Sequence, residues 1–230
     1  MSKEKNKSIG KEIINLNPEP LGLYTLPQEL HLKYKKKIEL ILQNSPKEYT
    51  QKLLDEPFLS HICNVTGQNL FKVFPELNDL KEIIKKILIS YINEIGYLCD
   101  EVVINSAWLN QAEKNATLRF HNHSNSYVSG NYFVNFNQGE HSPLNFLNDR
   151  GRLTIQNAPT MTLLEDTKRI TPYNVTGNTT HAKEGQILIW RSHMSHGYTL
   201  PNKSANRITL SFNSMPRVLN NGAYKFNVSD

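Results

Sequence analysis

The sequence predicts an α+β protein: a β-sandwich or barrel in the C-terminal half, with helices from the N-terminal half outside one sheet. Three observations carry this expectation. Up to about residue 97 the apolar residues recur at helical spacing. From about residue 100 they alternate with period two, in short runs separated by Gly, Pro and Asn. The chain has 230 residues, 38% of them hydrophobic, enough for one domain of good size with a packed core.

Taken in order, residues 1–20 are polar and read as a flexible tail, and 21–97 as mainly helical support. Leu21 to Thr25 reads as a short strand. Thr25-Leu-Pro-Gln28 has the form of a capping box, followed by Leu30, Tyr34, Ile38, Ile41 and Leu42 on one helical face. Ser45-Pro-Lys-Glu48 repeats the start signal and predicts a short helix ending near Glu56-Pro57. Pro75 opens a longer one, whose stripe of Leu77, Leu80, Ile83, Ile84, Ile87, Leu88, Tyr91, Ile92 and Ile95 must be buried; Gly96 stops it. Residues 98–216 then read as the β core, with strands at 102–104, 106–110, 117–123, 129–135, 144–146, 153–155, 186–190 and 207–213. Residues 160–183 read as a long loop near the mouth, and 217–230 as a C-terminal tail.

Charge and composition exclude several partners. The net charge is only +5, and Lys35–Lys37 and Lys85-Lys86 fall on solvated helix faces rather than in a basic stripe with interleaved aromatics. A nucleic-acid partner is therefore not expected. No run reaches the length of a membrane span, and no apolar leader follows the charged N-terminus. Two cysteines, Cys63 and Cys99, are too few for a disulfide framework and point to a reducing, cytoplasmic setting, in a bacterium or a phage-infected host cell.

The chemistry concentrates in the histidines. His121 and His123, spaced i, i+2, fall on one face of a strand and form a two-toothed metal site. His196 follows the apolar strand 186–190 in a loop able to hang over that face, with His193 as its competitor. His31, His61, His141 and His181 read as structural, His61 and Cys63 included, because no partner motif accompanies them. In the strand Arg207-Ile-Thr-Leu-Ser-Phe-Asn213, Ile208, Leu210 and Phe212 face a hydrophobic layer, while Arg207, Thr209, Ser211 and Asn213 face the other way. Arg207 offers a bidentate fork to a carboxylate, with a neighbouring hydroxyl beside it. The alternative is an edge strand with a wet outer face.

These residues occur in a particular order. Trp108 and Asn110, His121-Asn-His123, Ser129-Gly-Asn-Tyr-Phe-Val134, Phe146 with Asp149-Arg150, Gly185, Ser192 with His196, Pro201-Asn202 and Arg207 to Asn213 together resemble the phage-type 2-oxoglutarate/Fe(II)-dependent oxygenases. The resemblance covers about residues 105–215. It implies a double-stranded β-helix (jelly roll) with helices packed on one sheet, and Fe(II) and 2-oxoglutarate as cofactor and co-substrate. It further implies metal ligation by His121, His123 and His196, and co-substrate binding by Arg207, Thr209 and Tyr132. Oxidative decarboxylation of 2-oxoglutarate to succinate and CO2 would then be coupled to hydroxylation of a small-molecule or protein/peptide substrate.

One departure matters. The superfamily's usual second ligand is a carboxylate, and here that position is His123; Asp149 and Glu140 are the alternative carboxylates. The departure keeps two rivals in play: a three-histidine metal dioxygenase or isomerase of cupin type, and a non-enzymatic jelly-roll binding or virion-associated protein. A DNA-repair demethylase is disfavoured, because the second Arg expected six residues after Arg207 is Asn213.

Overall fold

The computed structural model describes residues 19–44, 47–65, 68–147, 168, 177–220 and 222–228. Strand β1 (Gly22–Thr25) leads into helix α1 (Gln28–Asn44), which buries His31, Tyr34, Ile38 and Ile41 on one face. Thr25 is not the helix cap: it ends β1, and its hydroxyl accepts a hydrogen bond from Gln186 Nε2 at 3.1 Å. The short helix expected after residue 45 is also absent. A single 3-10 turn (Lys47–Tyr49) gives way to a hairpin of β2 (Thr50–Leu53) and β3 (Glu56–Ile62). Pro57 sits at the start of β3, where a missing N–H is tolerated, so Glu56-Pro57 opens a strand instead of closing a helix.

Helix α2 (Leu70–Val73) and a 3-10 turn (Pro75–Leu77) precede α3 (Asn78–Glu94), which buries Leu80, Ile84, Leu88, Tyr91 and Ile92. Gly96, at φ +96°, breaks the chain away in a conformation that side chains resist.

The remaining strands are β4 (Val102–Ala112), β5 (Leu118–His121), β6 (Val128–Asn135), β7 (Asn145–Leu147), β8 (Gly177–Thr179), β9 (Gln186–Arg191), β10 (His196–Tyr198), β11 (Arg207–Pro216), β12 (Val218–Asn220) and β13 (Lys225–Asn227). A seven-stranded sheet runs β1-β9-β6-β11-β4-β3-β2, and a four-stranded sheet runs β5-β10-β7-β8. Between β4 and β11 the chain passes back and forth between the two sheets, except that β7 and β8 pair as neighbours in the small one, which is the winding of a jelly roll. The two strands expected at 102–104 and 106–110 are one, with Asn105 as the extra residue of a bulge opposite Asn213 and Ser214. That bulge breaks the period-two pattern. The expected C-terminal tail carries the β12–β13 hairpin. The strand expected at 153–155 and most of the 160–183 loop lie outside the described residues.

Each face of the large sheet has its own partner. Ile208, Leu210 and Phe212 of β11, with Val128, Tyr132 and Val134 of β6, share one buried cluster with the α1 and α3 side chains. The opposite face packs Phe133, Leu188 and Trp190 against Phe146 and Tyr198 of the small sheet. The space left between the sheets is a cavity of about 840 Å³.

Candidate metal centre and anion pocket

Three imidazoles meet in that cavity. His121 ends β5 and pairs directly with His196 of β10 across the small sheet. Gly197 permits this pairing: a Cβ there would lie 2.7 Å from the Leu118 carbonyl oxygen. His123 arrives differently from the expected same-face strand pair. The strand stops at His121, and His123 is held just beyond it by its N–H, which donates to the Ser192 carbonyl at 2.9 Å. Ring centroids are 4.5 Å apart for His121 and His196, 5.1 Å for His121 and His123, and 5.2 Å for His123 and His196. One nitrogen from each lies within 4.8 Å of the others, close enough to share one ion. Among the described residues this is the only such group of His, Cys, Asp and Glu.

The hydrogen bonds set the tautomers. His121 Nδ1–H donates to the Arg119 carbonyl and His196 Nδ1–H to the Met194 carbonyl, both at 2.9 Å. Each therefore keeps the Nε2 lone pair for a metal. Burial, with help from His121, pushes the His123 imidazole down to about 4. Burial and then His121 push His196 down to about 3. Both rings are thus neutral near pH 7, the state in which imidazole binds metal.

These shifts give a sign to the pH dependence of stability. Unfolding returns both groups to about 6.5, so below that pH the unfolded chain binds more protons than the folded one. Protein stripped of metal is therefore expected to be most stable above pH 6.5 and to weaken as pH falls towards 4 and below. Urea midpoints measured from pH 7.5 to 4 check this; a flat profile would contradict it.

Arg207 lies in the same cavity, 2% exposed. Its Nε and Nη2 have no hydrogen-bond partner, nor does the buried hydroxyl of Tyr198, above whose ring the guanidinium sits at 4.6 Å. Desolvation lowers the Arg207 pKa, a sign of how dry the charge is. A buried, unpaired guanidinium is costly unless an anion answers it. Two residues along β11, Thr209 Oγ1 accepts from Asn110 Nδ2 at 3.1 Å, which leaves its own proton free.

Tyr132 does not join them. It points to the helical face, where its hydroxyl is 2.7 Å from His31 Nδ1 and its ring lies in the α1–α3 cluster. The neighbours that face the cavity are Ser129 and Asn131, as strand alternation requires. His193 is exposed beside Glu19 and is not part of the triad. Glu140 is exposed in a turn away from the cavity lining, and Asp149 lies outside the described residues.

Three cavity residues were not singled out as functional from sequence. Asn110 Oδ1 accepts from both Trp108 Nε1 (2.9 Å) and His61 Nδ1 (2.7 Å), and its Nδ2 also reaches Ser211 Oγ at 2.7 Å. His61 lines the wall with Glu56 beside it. Period-two alternation would have placed His61 on the inner face with Leu59, had that stretch been recognised as a strand; Glu56, five residues before His61, lies outside that alternation.

Comparison with known proteins falls on this core. Residues 106–213 match the family model described as "Putative 2OG-Fe(II) oxygenase". The matched span runs from within β4 to within β11 and so contains all three histidines and Arg207. No curated protein matches the chain in sequence. Among solved structures, HygX from Streptomyces hygroscopicus with nickel, 2-oxoglutarate and hygromycin B bound is 12% identical, with a TM-score of 0.56 over 86% of this chain and 83% of its own. A Pseudomonas putida prolyl-4-hydroxylase is 11% identical, with a TM-score of 0.51 over 85% of this chain and 92% of its own. The epimerase SnoN, in complex with Fe3+, alpha ketoglutarate and nogalamycin RO, is 8% identical, with a TM-score of 0.58 over 86% of this chain and 80% of its own. At these identities the likeness is one of fold, a double-stranded β-helix of the 2OG-oxygenase kind.

Proposed function

We propose that this chain is an Fe(II)- and 2-oxoglutarate-dependent oxygenase that hydroxylates its substrate, with His121, His123 and His196 as metal ligands. The observation that carries the proposal is that two unanswered sets of groups share one cavity: three clustered imidazoles, and a dry Arg207 whose Nε and Nη2 have no partner. Imidazole nitrogen suits Fe(II), and a bidentate cation beside a free hydroxyl proton suits the far carboxylate of 2-oxoglutarate. The family match and the iron- and 2-oxoglutarate-bound neighbours agree with that assignment.

With its co-substrate, the iron would supply oxidation by O2, splitting 2-oxoglutarate into succinate and CO2 and adding one oxygen atom to the substrate. The chain's own contribution is placement. Arg207 and Thr209 would hold the distal carboxylate and so fix the direction of the 2-oxo acid end. Trp108 and Trp190, 5.8 Å from His123 and 4.7 Å from His196 respectively, wall the histidines against bulk water. The Arg119 and Met194 carbonyls orient two of the rings through their Nδ1–H groups. Two free, buried cysteines, Cys63 and Cys99, fit a reducing, cytoplasmic setting.

Purified protein is expected to bind one Fe(II), or Mn(II) in its place, and to bind 2-oxoglutarate only when metal is present. Anaerobic addition of 2-oxoglutarate to the Fe(II) protein should give a visible charge-transfer band, and aerobic incubation should release succinate. Metal binding without any 2-oxoglutarate affinity would favour the cupin-type three-histidine reading, for which the histidine in place of a carboxylate speaks. Absence of metal binding would favour a binding module.

A further inference from the structure

The same cavity contains a second pair of polar groups, which the family match does not cover. Glu56 and His61 both belong to β3, outside residues 106–213, and both line the cavity. They are 7% and 5% exposed. Register places His61 beside Asn110, and Asn110 beside Thr209. The pair therefore lies about 10 Å, two strand spacings, across the sheet from the proposed 2-oxoglutarate pocket.

The neighbours fix what each group can still do. Asn110 Oδ1 is identified as the oxygen because Trp108 Nε1–H donates to it, so His61 Nδ1 must carry a proton and donate as well. His61 Nε2 is left as a buried atom without a partner. Glu56 uses Oε1 to accept the Arg119 backbone N–H at 3.1 Å. Its Oε2 stands 3.8 Å from His61 Nε2, too far for a hydrogen bond. Among the described residues, no Lys or Arg side chain is within ion-pair distance of Glu56; the Arg119 guanidinium turns outward to Asp55 at 3.0 Å. Lys72, also on the lining, is exposed. Burial holds the His61 imidazole below its ordinary basicity.

Two acceptors 3.8 Å apart in a dry wall are bridged by one nitrogen with several N–H bonds, set about 2.9 Å from each. We infer that Glu56 and His61 form a subsite for a protonated amine, and that the primary substrate carries such a group. The cavity is then polarised, with a guanidinium for the co-substrate at one end and a carboxylate–imidazole pair for a cationic substrate at the other. An anionic substrate is rejected by the same charge. The subsite itself stands on geometry; only the statement that its occupant is the substrate rests on the oxygenase reading.

The test compares cyclohexylamine, cyclohexanol and cyclohexanecarboxylate, which share one ring and differ in charge. Each is titrated into the protein by saturation-transfer NMR, with and without Zn(II) plus 2-oxoglutarate. Cyclohexylamine is expected to bind at least about tenfold more tightly than the other two, the scale of a charge-assisted hydrogen bond. Glu56→Gln keeps an oxygen for the Arg119 N–H and should abolish the preference, and His61→Phe should reduce it. Equal binding of the three compounds to the unmodified protein would overturn the subsite, as would a preference undiminished in folded Glu56→Gln. Should either variant fail to fold, the ranking on the unmodified protein still decides. Amine preference without Zn(II) or 2-oxoglutarate binding would overturn the oxygenase reading alone, and the reverse outcome the subsite alone.

Discussion

Arg207→Ala is expected to weaken 2-oxoglutarate binding by about tenfold to a hundredfold or more, while leaving Mn(II) affinity unchanged. The side chain is buried on the cavity face of β11, and Nε and Nη2 have no protein partner. A bound carboxylate would satisfy both at once, and charge-assisted pairing of this kind is worth roughly 1.5–3 kcal/mol. Among the described residues, no other Arg or Lys is both buried and part of the lining. Arg207→Lys should recover part of the loss, since the charge survives and the fork does not. Calorimetric titration of Mn(II)-loaded variants measures both affinities. Undiminished 2-oxoglutarate affinity in folded Arg207→Ala would remove Arg207 from the co-substrate site.

The second large effect concerns His123, where the chain departs from the usual two-histidine, one-carboxylate site. As a ligand, its loss in His123→Ala should cost more than the roughly 10- to 100-fold that removal of an outer-shell partner costs. His123→Asp should retain a metal site, because a carboxylate on that position is also competent for Fe(II) and the shorter side chain restores the His-X-Asp spacing. The other face of the ring bears on the argument. His123 Nδ1 lies 3.4 Å from Asn213 Nδ2, and Asn213 also contacts Ser129 Oγ (2.7 Å) and Ser106 Oγ (3.0 Å). Metal on Nε2 requires a proton on Nδ1, and turning the Asn213 amide over supplies the acceptor, with the serine hydroxyls free to rotate in response. Metal stoichiometry on His123→Ala, His123→Asp, Asp149→Asn and Glu140→Gln separates the possibilities. If Asp149→Asn or Glu140→Gln abolishes binding and His123→Ala does not, His123 is an outer-shell residue.

Much of this site was legible before folding. The alternation of Arg207, Thr209, Ser211 and Asn213 against Ile208, Leu210 and Phe212 is a property of the strand itself, and each set lies on its own face in the structure. The α3 stripe was legible for the same reason, since side-chain direction repeats with the local backbone period. That three distant histidines meet was suggested by the order of motifs, not by any local rule.

What lay beyond the sequence concerns how separate segments are paired. Tyr132 was expected at the co-substrate, but the face it shows is set by the register of β6 against β11 and β9, and a turn separates it from His121 and His123. A one-residue difference in parity reverses the face, and no pattern carries across the turn to fix it. His123 likewise owes its position to the Ser192 carbonyl on a distant loop rather than to strand alternation. Glu56 and His61 were hidden because Pro and charged residues in 45–57 imitate a helix start and stop. Pairing with β4 made that stretch a strand, since tertiary hydrogen bonds outweigh weak local propensity. The sequence by itself thus determined the periodicities and the chemical types of the ligating groups; the tertiary pairing alone decided which of them share the cavity.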